Sequence, residues 1–244
     1  MANALRKWHR FCEQHVSSLK LVNLYKSQLL SYVEYRTPAI YHACDSILAP
    51  LNKFQDKFLA ELGISAEDAL FNFNLAPLTC RRDMAMLGLI HRCTLDKGPN
   101  HFKEVFKRST AQRRNTRAGS KEHDKQLVDM QSRSFLEVER RSALGLIWVY
   151  NNLPQEIVSV SDVKGFQRDL QGLLKHQIML GRDDWKSMLF PRIPIYMHPL
   201  RYQCTVSSYH SSRRLVYARH RVYYAILLVY VAPSLCISVC GYGS

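Results

Sequence analysis

The sequence has few helix-breaking residues and lacks the common catalytic motifs. It contains only 9 Pro and 10 Gly among 244 residues, which excludes a collagen-like or low-complexity chain. It has no P-loop (GxxxxGK(S/T)), dinucleotide-binding (GxGxxG), nucleophile-elbow (GxSxG) or zinc-protease (HExxH) pattern. No set of Cys and His residues has zinc-finger spacing. We therefore expect no catalytic constellation, no cofactor and no bound metal ion.

The seven cysteines are widely spaced, and no CxxC pair occurs among them. Because free cysteine is among the most often buried residues, we expect buried reduced thiols and an intracellular location, nuclear or cytoplasmic. The adjacent acids Asp183 and Asp184 are a pair of the kind that can hold Mg²⁺. No apolar strand precedes them, so they are predicted to begin a helix, where acids are favoured. His91, on an apolar helix face, is predicted to be a packed core histidine.

Positive charge is in clear excess. The chain has 34 Lys and Arg against 20 Asp and Glu, a formal net charge of +14. This excess predicts a polyanionic partner, either nucleic acid or an acidic membrane surface. The excess is uneven, because residues 201–244 contain five Arg but no Lys, Asp or Glu. We treat residues 201–244 as a separate segment.

The segment 222–239, from Val222 to Val239, carries no charge over about 18 residues, close to the shortest length that spans a bilayer. Four arginines precede it and favour the cytoplasmic side. One interpretation is a C-terminal membrane anchor. Pro233 and two serines weaken that interpretation, and the alternative is a hydrophobic end that does not insert. The N-terminus is basic but has no apolar core of a signal peptide.

Apolar residues recur at steps of three and four over most of residues 1–190, which predicts helices. We expect helices over 19–33, 45–62 and 79–95 and a further one that ends at Gly181. The predicted helix caps are Asp45 or Ser46 for the second of these helices, Ser65 for a short helix after it, and Ser161 and Asp162 for the last. Gly63 is a predicted C′ residue. The predicted fold is mainly α, without a sheet. Its expected parts are a helical bundle (1–107), a basic linker (108–130), a second helical region (131–190) and an irregular tail (191–244).

Four sequence blocks follow one another between residues 20 and 175. They are LYKSQLLSYVEY (24–35), ILAPLNKFQDKF (47–58), LAPL (75–78) with Arg81-Arg82 and LGLIHR (87–92), and WVYNNLPQEIV (148–158) with VKGFQRDL (163–170). In order and spacing they resemble the region behind the catalytic palm of non-LTR (LINE-type) retrotransposon reverse transcriptases. The resemblance implies a thumb and connecting region, a helical bundle that grips the template–primer duplex.

The resemblance does not extend to the parts of that family that carry chemistry. The palm needs metal-binding aspartates, usually with a Y/F-x-D-D turn, and no such turn precedes residue 20. The endonuclease and terminal Cys/His finger also have no counterpart. We therefore expect a catalytically incomplete remnant rather than an enzyme. Its expected partner is DNA or an RNA–DNA hybrid, bound without sequence preference. Two alternatives stay open for a protein partner: a palm-containing chain, or none.

Phosphate contacts require Lys and Arg but no reading of bases. Candidates inside the matching blocks are Lys26, Arg36, Arg81 and Arg82. Candidates supported by charge density alone are Lys103, Lys107, Arg108, Arg113, Arg114 and Arg117. The alternatives are that the Arg pair binds Asp83 or other acids, and that the basic loop is merely solvated.

Two further expectations concern apolar and aromatic side chains. Tyr25, Tyr35 and Trp148 are predicted to lie in the core rather than to stack on bases. A helical protein–protein interaction module is the rival of a nucleic-acid-binding function. It predicts a large exposed apolar patch.

Overall fold

The structure, a computed structural model, describes residues 17–109, 123–129, 136–194 and 197–202. It is mainly helical, and no strand occurs among the residues it describes, which confirms the predicted fold class. The α-helices are α1 (Ser18–Leu24), α2 (Ser31–Tyr35), α3 (Thr37–Ile40), α4 (Asp45–Glu61), α5 (Ala66–Phe73), α6 (Leu78–Thr94), α7 (Leu136–Arg140), α8 (Gly145–Asn151), α9 (Gln155–Val158) and α10 (Val163–Met179). Short 3₁₀ helices span Asn100–Phe102, Asp183–Ser187 and Pro199–Tyr202.

The first helix runs without a break from residue 18 to residue 35, which confirms the prediction for 19–33. A π-helical segment, Tyr25–Leu30, joins α1 to α2, and nothing in the apolar spacing indicates it. Its Tyr25 is buried and stacks on Phe58 of α4, with ring centroids 4.5 Å apart. Val22 and Leu30 enter the same apolar cluster. The first helix therefore packs one side on α4 and leaves the other side to solvent.

Two short turns set the directions of α4 and α5. Gly63 has φ +65° and follows the end of α4, as predicted for a C′ residue. The Ser65 hydroxyl accepts a 3.0 Å hydrogen bond from the Asp68 amide, which confirms Ser65 as the N-cap of α5. The start of α4 differs by one residue from expectation, because Cys44 occupies the N-cap position without a side-chain hydrogen bond.

The long helices α6 and α10 pack closely against each other along their lengths. A Cβ atom on Gly88 of α6 would lie only 2.5 Å from Nε2 of Gln167 on α10, so the glycine permits this close approach. Helices from the predicted regions 1–107 and 131–190 therefore pack in one core. The described residues from 17 to 202 belong to one compact unit.

The described ends of the predicted linker are anchored to the helices. Arg108 and Leu127 form an isolated antiparallel bridge. The Asn151 side chain accepts a 2.8 Å hydrogen bond from the Leu127 amide and donates a 2.9 Å bond to the Leu127 carbonyl. Leu127 and His123 are buried. Residues 123–129, part of the predicted linker, thus pack against α8.

The membrane-anchor prediction falls on residues 222–239, which lie outside the described residues, as does all of 203–244. Within the part of the chain that the structure describes, no helix has the length and apolar character needed to cross a membrane. The described start of the predicted irregular tail consists of turns and a 3₁₀ helix around the buried His198.

Candidate nucleic-acid interface

The last turn of α5 creates a concentration of backbone carbonyls near the surface. A helix leaves its final carbonyls without intrahelical partners, and its C-terminus carries partial negative charge that attracts cations. Asn74 ends α5 in the left-handed conformation, with φ +52°. Three cations from three different helical segments meet at this turn. We call them the three-cation cluster: Lys26, Arg81 and Lys175.

Each member of the cluster contacts the α5 turn directly. The Lys26 ammonium, from the π-helical segment, donates to the Phe73 carbonyl. The Lys175 ammonium, from α10, donates to Oδ1 of Asn74 at 2.7 Å. Arg81, from α6, reaches the Asn74 carbonyl through Nη1 at 3.4 Å. The turn therefore draws together helices that lie far apart in the sequence.

Positive charge in the cluster is only partly compensated. One carboxylate, that of Glu34, forms an ion pair with Nε of Arg81. Burial and then the nearby charge of Arg81 lower the pKa of Lys26. Burial and then the charge of Lys26 lower the pKa of Lys175. The three cations therefore repel one another, and a bound anion would relieve that repulsion.

The cluster has hydrogen-bond donors left for a ligand. A guanidinium carries five N–H donors and an ammonium three. Among the described residues, no hydrogen-bond partner lies on Nη2 of Arg81. The Arg81 side chain is 20 % exposed, Lys26 and Lys175 are half-buried, and Asn74 is exposed. A phosphate oxygen at these donors would form charge-assisted hydrogen bonds, which are stronger than neutral ones.

The structure separates the two neighbouring arginines predicted as phosphate contacts. Arg81 joins the cluster and pairs with an acid, Glu34. Arg82 is only 5 % exposed and donates from Nη2 to Oδ1 of Asn52 at 2.9 Å. Asp83, the suggested partner of both, instead accepts a 2.8 Å hydrogen bond from the Tyr41 hydroxyl. Arg82 therefore lies in the interior, and the prediction that it contacts phosphate at the surface is wrong.

The other predicted cations that the structure describes do not join the cluster. Arg36 is exposed, and its guanidinium carbon lies 4.5 Å from the ring centroid of Tyr32. Arg108 donates to the Thr94 carbonyl at the end of α6, so its charge supports that helix terminus. Lys103 and Lys107 are exposed. Arg113, Arg114 and Arg117 lie outside the described residues.

The aromatic predictions have mixed outcomes. Tyr25 is buried, as predicted, and Trp148 is half-buried with its ring edge-on to His198 at 4.7 Å. The prediction for Tyr35 was wrong, because 87 % of this residue is exposed. The π-helical segment changes the helical phase, so the last residues of α2 do not continue the face that carries Tyr25. Tyr32 is also exposed, by 59 %.

Sequence reasoning missed Lys175 and Gln171. Gln171 donates to the Asn74 carbonyl at 2.9 Å and so helps to hold the turn of the cluster. The two residues are four positions apart on α10, so they share one helix face. That spacing was visible in the sequence. Nothing local, however, indicates that this face meets the end of α5.

The other polar candidates are structural. His91 is buried, donates from Nε2 to the Val160 carbonyl at 2.8 Å, and has its pKa lowered to about 4 by burial. The prediction of a core histidine is therefore confirmed. Asp183 and Asp184 lie in the first turn of a 3₁₀ helix, as predicted for acids at a helix start. In the described ranges, no group of three or more His, Cys, Asp or Glu side chains is placed to hold a metal ion.

No family model matches this chain, and neither a curated protein nor a solved structure matches it.

Proposed function

We propose that this chain binds nucleic acid without sequence preference, through phosphate contacts centred on the three-cation cluster, and that it has no polymerase activity of its own. The observation that carries the proposal is the convergence of three cations on the α5 turn, where Glu34 supplies the one contacting carboxylate among the described residues. The formal net charge of +14 supports a polyanionic ligand.

The resemblance of the four blocks supports the same proposal. Lys26 and Arg81 lie in the first and third blocks, which resemble the thumb of LINE-type reverse transcriptases. In that family the thumb grips the template–primer duplex. We also propose an evolutionary origin for the chain: it is a catalytically incomplete, thumb-like remnant of such an enzyme. We propose a palm-containing chain as a second partner, in addition to nucleic acid.

Phosphate binding makes a specific prediction about salt. Each phosphate that a protein cation neutralises releases counterions, so the logarithm of affinity falls linearly with the logarithm of salt concentration. The slope is about −0.9 for each phosphate on a duplex. Binding through the cluster alone implies a slope of about −2 to −3, and the exposed Lys103 and Lys107 can add to it.

The test is a salt series of binding to an RNA–DNA hybrid, with the full chain and matched variants. Lys175→Gln is expected to weaken binding and to make the slope shallower by about one phosphate contact. The control is Lys53→Gln, which removes an equal charge from an exposed position of α4. We expect the control to change both quantities much less.

Three outcomes would contradict the proposal. Absence of binding at low salt, or an affinity that does not change with salt, would exclude a phosphate-binding function. Equal effects of Lys175→Gln and Lys53→Gln would remove the cluster from the interface. Primer extension by the purified chain would contradict the lack of polymerase activity.

A membrane-anchored protein with a cytosolic helical region stays a prediction, because residues 222–239 lie outside the described part of the chain. Carbonate extraction of membranes from cells that express the full chain tests it. Retention in the membrane pellet supports an anchor. Release of the chain into the supernatant contradicts it.

A further inference from the structure

We infer that Tyr32, Tyr35 and Arg36 form a stacking platform for unpaired bases, so that single-stranded nucleic acid is the ligand this surface fits best. The inference deepens the proposed function and rests on it, since the three-cation cluster supplies the phosphate contacts. It concerns bases rather than phosphates, and it assigns a role to the exposed end of α2.

The first observation is the exposure of two aromatic rings at adjacent turns of one helix end. Tyr35 is 87 % exposed and Tyr32 is 59 % exposed, although most of the aromatic side chains described elsewhere in the chain are buried or half-buried. Arg36 places its guanidinium over Tyr32, 4.5 Å from the ring centroid. This contact places a planar cation on one face of the Tyr32 ring. Planar π surfaces and a guanidinium are the groups on which bases stack.

The second observation is the direct connection between the platform and the cluster. Glu34 lies between Tyr32 and Tyr35 on α2, and its carboxylate forms the ion pair with Arg81 of the cluster. Lys26, another member, is on the same continuous helix. Nine residues separate Lys26 from Tyr35, which corresponds to about 14 Å along a helix axis. That length is about four steps of 3.4 Å along a nucleic-acid strand.

The chemistry of the ligand follows from these two features. In a duplex the bases are already stacked and paired, so an exposed ring meets only the sugar–phosphate edge or a terminal pair. In a single strand every base offers a π face, and stacking on aromatic side chains tolerates any sequence. A strand that lies along the first helix can place phosphates at the cluster and unpaired bases on Tyr32 and Tyr35.

A protein partner is the competing occupant, because Tyr and Arg are also enriched at protein interfaces. The charge beside the platform favours nucleic acid. Arg36 lies on Tyr32, and Glu34 links the same helix end to Arg81 of the cluster. Lys26, Arg81 and Arg36 carry three positive charges, and the carboxylate described in contact with them is that of Glu34. A protein partner or a second copy of this chain therefore becomes an outcome of the test.

The experiment compares the full chain on three fluorescent probes of equal length: oligo(dT), the same strand with abasic sites in place of its bases, and an RNA–DNA hybrid. We expect oligo(dT) to bind more tightly than the abasic strand. Tyr35→Ala should weaken oligo(dT) binding by about fivefold or more and leave the abasic strand unchanged. Tyr32→Ala should act in the same way.

Two substitutions at residue 35 separate stacking from simple apolar contact. Tyr35→Phe keeps the ring and should retain oligo(dT) binding, whereas Tyr35→Leu keeps an apolar side chain without a ring and should lose it. Ile47→Ala is the control for removal of an exposed apolar side chain, since Ile47 of α4 is 65 % exposed. All these positions are on the surface, so the substitutions should leave the fold intact.

The outcomes distinguish this inference from the proposed function. Equal binding of oligo(dT) and the abasic strand, or full binding by Tyr35→Leu, overturns the platform while phosphate binding stands. No binding to the abasic strand or the hybrid at low salt overturns the proposed function and the platform with it. A change in sedimentation of Tyr35→Ala without a change in oligo(dT) affinity overturns the platform and identifies a protein interface.

Discussion

The imidazole of His91 lies parallel to the ring of Phe166, with centroids 4.1 Å apart and an angle of 6° between the planes. His91 belongs to α6 and Phe166 to α10. The two ring nitrogens of His91 are also engaged, Nδ1 with the Tyr150 hydroxyl at 3.0 Å and Nε2 with the Val160 carbonyl at 2.8 Å. This one stacked pair therefore joins the two regions that the sequence presents as separate.

Truncation of Phe166 is predicted to destabilise the whole described core. Phe166 is completely buried, and removal of a buried phenyl ring costs about 3–5 kcal/mol. We expect the Phe166→Ala variant to lower the free energy of unfolding by that amount in urea denaturation. The control is Leu180→Ala, because Leu180 is 58 % exposed and surface truncations change stability by about 0.5 kcal/mol or less. A loss below about 1 kcal/mol for Phe166→Ala would contradict a shared core.

The buried Asp83 is predicted to influence how stability depends on pH. Burial raises the pKa of Asp83 to about 7, against 3.8 in the unfolded chain. Between these values the folded state holds one proton more than the unfolded state, so this group's contribution to stability decreases as pH rises from about 4 to 7.

The buried His91 and His198 have the opposite effect on stability. Burial lowers both pKa values to about 4, so their contribution increases as pH rises from about 4 to 6.5.

The substitution Asp83→Asn removes the titrating carboxyl group, and with it the loss of stability that Asp83 causes as pH rises. The asparagine keeps an oxygen that accepts the Tyr41 hydroxyl hydrogen bond. We expect the variant to gain stability more steeply than the natural chain as pH rises from 4.5 to 6.5. The steepening should be about 1.4 kcal/mol per pH unit, the value for one proton. Urea denaturation at several pH values measures it. Parallel pH profiles of the two proteins would show that Asp83 titrates normally.

Asn151 is predicted to hold residues 123–129 on the helices. Its side chain makes paired hydrogen bonds with the backbone of the buried Leu127. In Asn151→Ala the Leu127 amide loses its partner, which costs about 1–3 kcal/mol locally. We expect faster hydrogen exchange at the Leu127 amide. Asn152→Ala is the matched control, because the Asn152 side chain donates to the Trp148 carbonyl of the adjoining helix α8. Equal exchange at Leu127 in both variants would contradict the role of Asn151.

Cys44 is predicted to be more reactive than the buried Cys80 and Cys93. A hydrogen bond with the Ser46 hydroxyl, 3.1 Å away, is the main cause that lowers the pKa of Cys44. Burial raises the pKa of Cys80 to about 12 and also raises that of Cys93. Since the thiolate is the reactive form, iodoacetamide at neutral pH should label Cys44 before Cys80 and Cys93.

Peptide mass spectrometry resolves the three cysteines in that labelling experiment. Ser46→Ala should slow the labelling of Cys44 and leave Cys80 and Cys93 unchanged. Equal labelling rates for Cys44 and Cys80 in the natural chain would show that the hydrogen bond and the exposure of Cys44 have no kinetic effect.

The helix boundaries were predictable because they depend on local chemistry. Ser65 and Asp162 cap helices through their own side-chain oxygens, as predicted. Gly63 and Gly181 adopt positive φ after helix ends, where glycine has no Cβ to strain. Apolar steps of three and four likewise predicted α4, α6 and α10. Each of these signals is contained in a few neighbouring residues.

The sequence by itself thus determined a mainly helical chain, the ends of its long helices, its positive charge and a core role for His91. The tertiary structure alone decided which cations act together. It buried Arg82 while leaving its neighbour Arg81 at the surface, and it brought Lys175 to the end of α5. The physical reason is that caps and periodicity act within one helix, whereas burial and the meeting of charges depend on how separate helices pack.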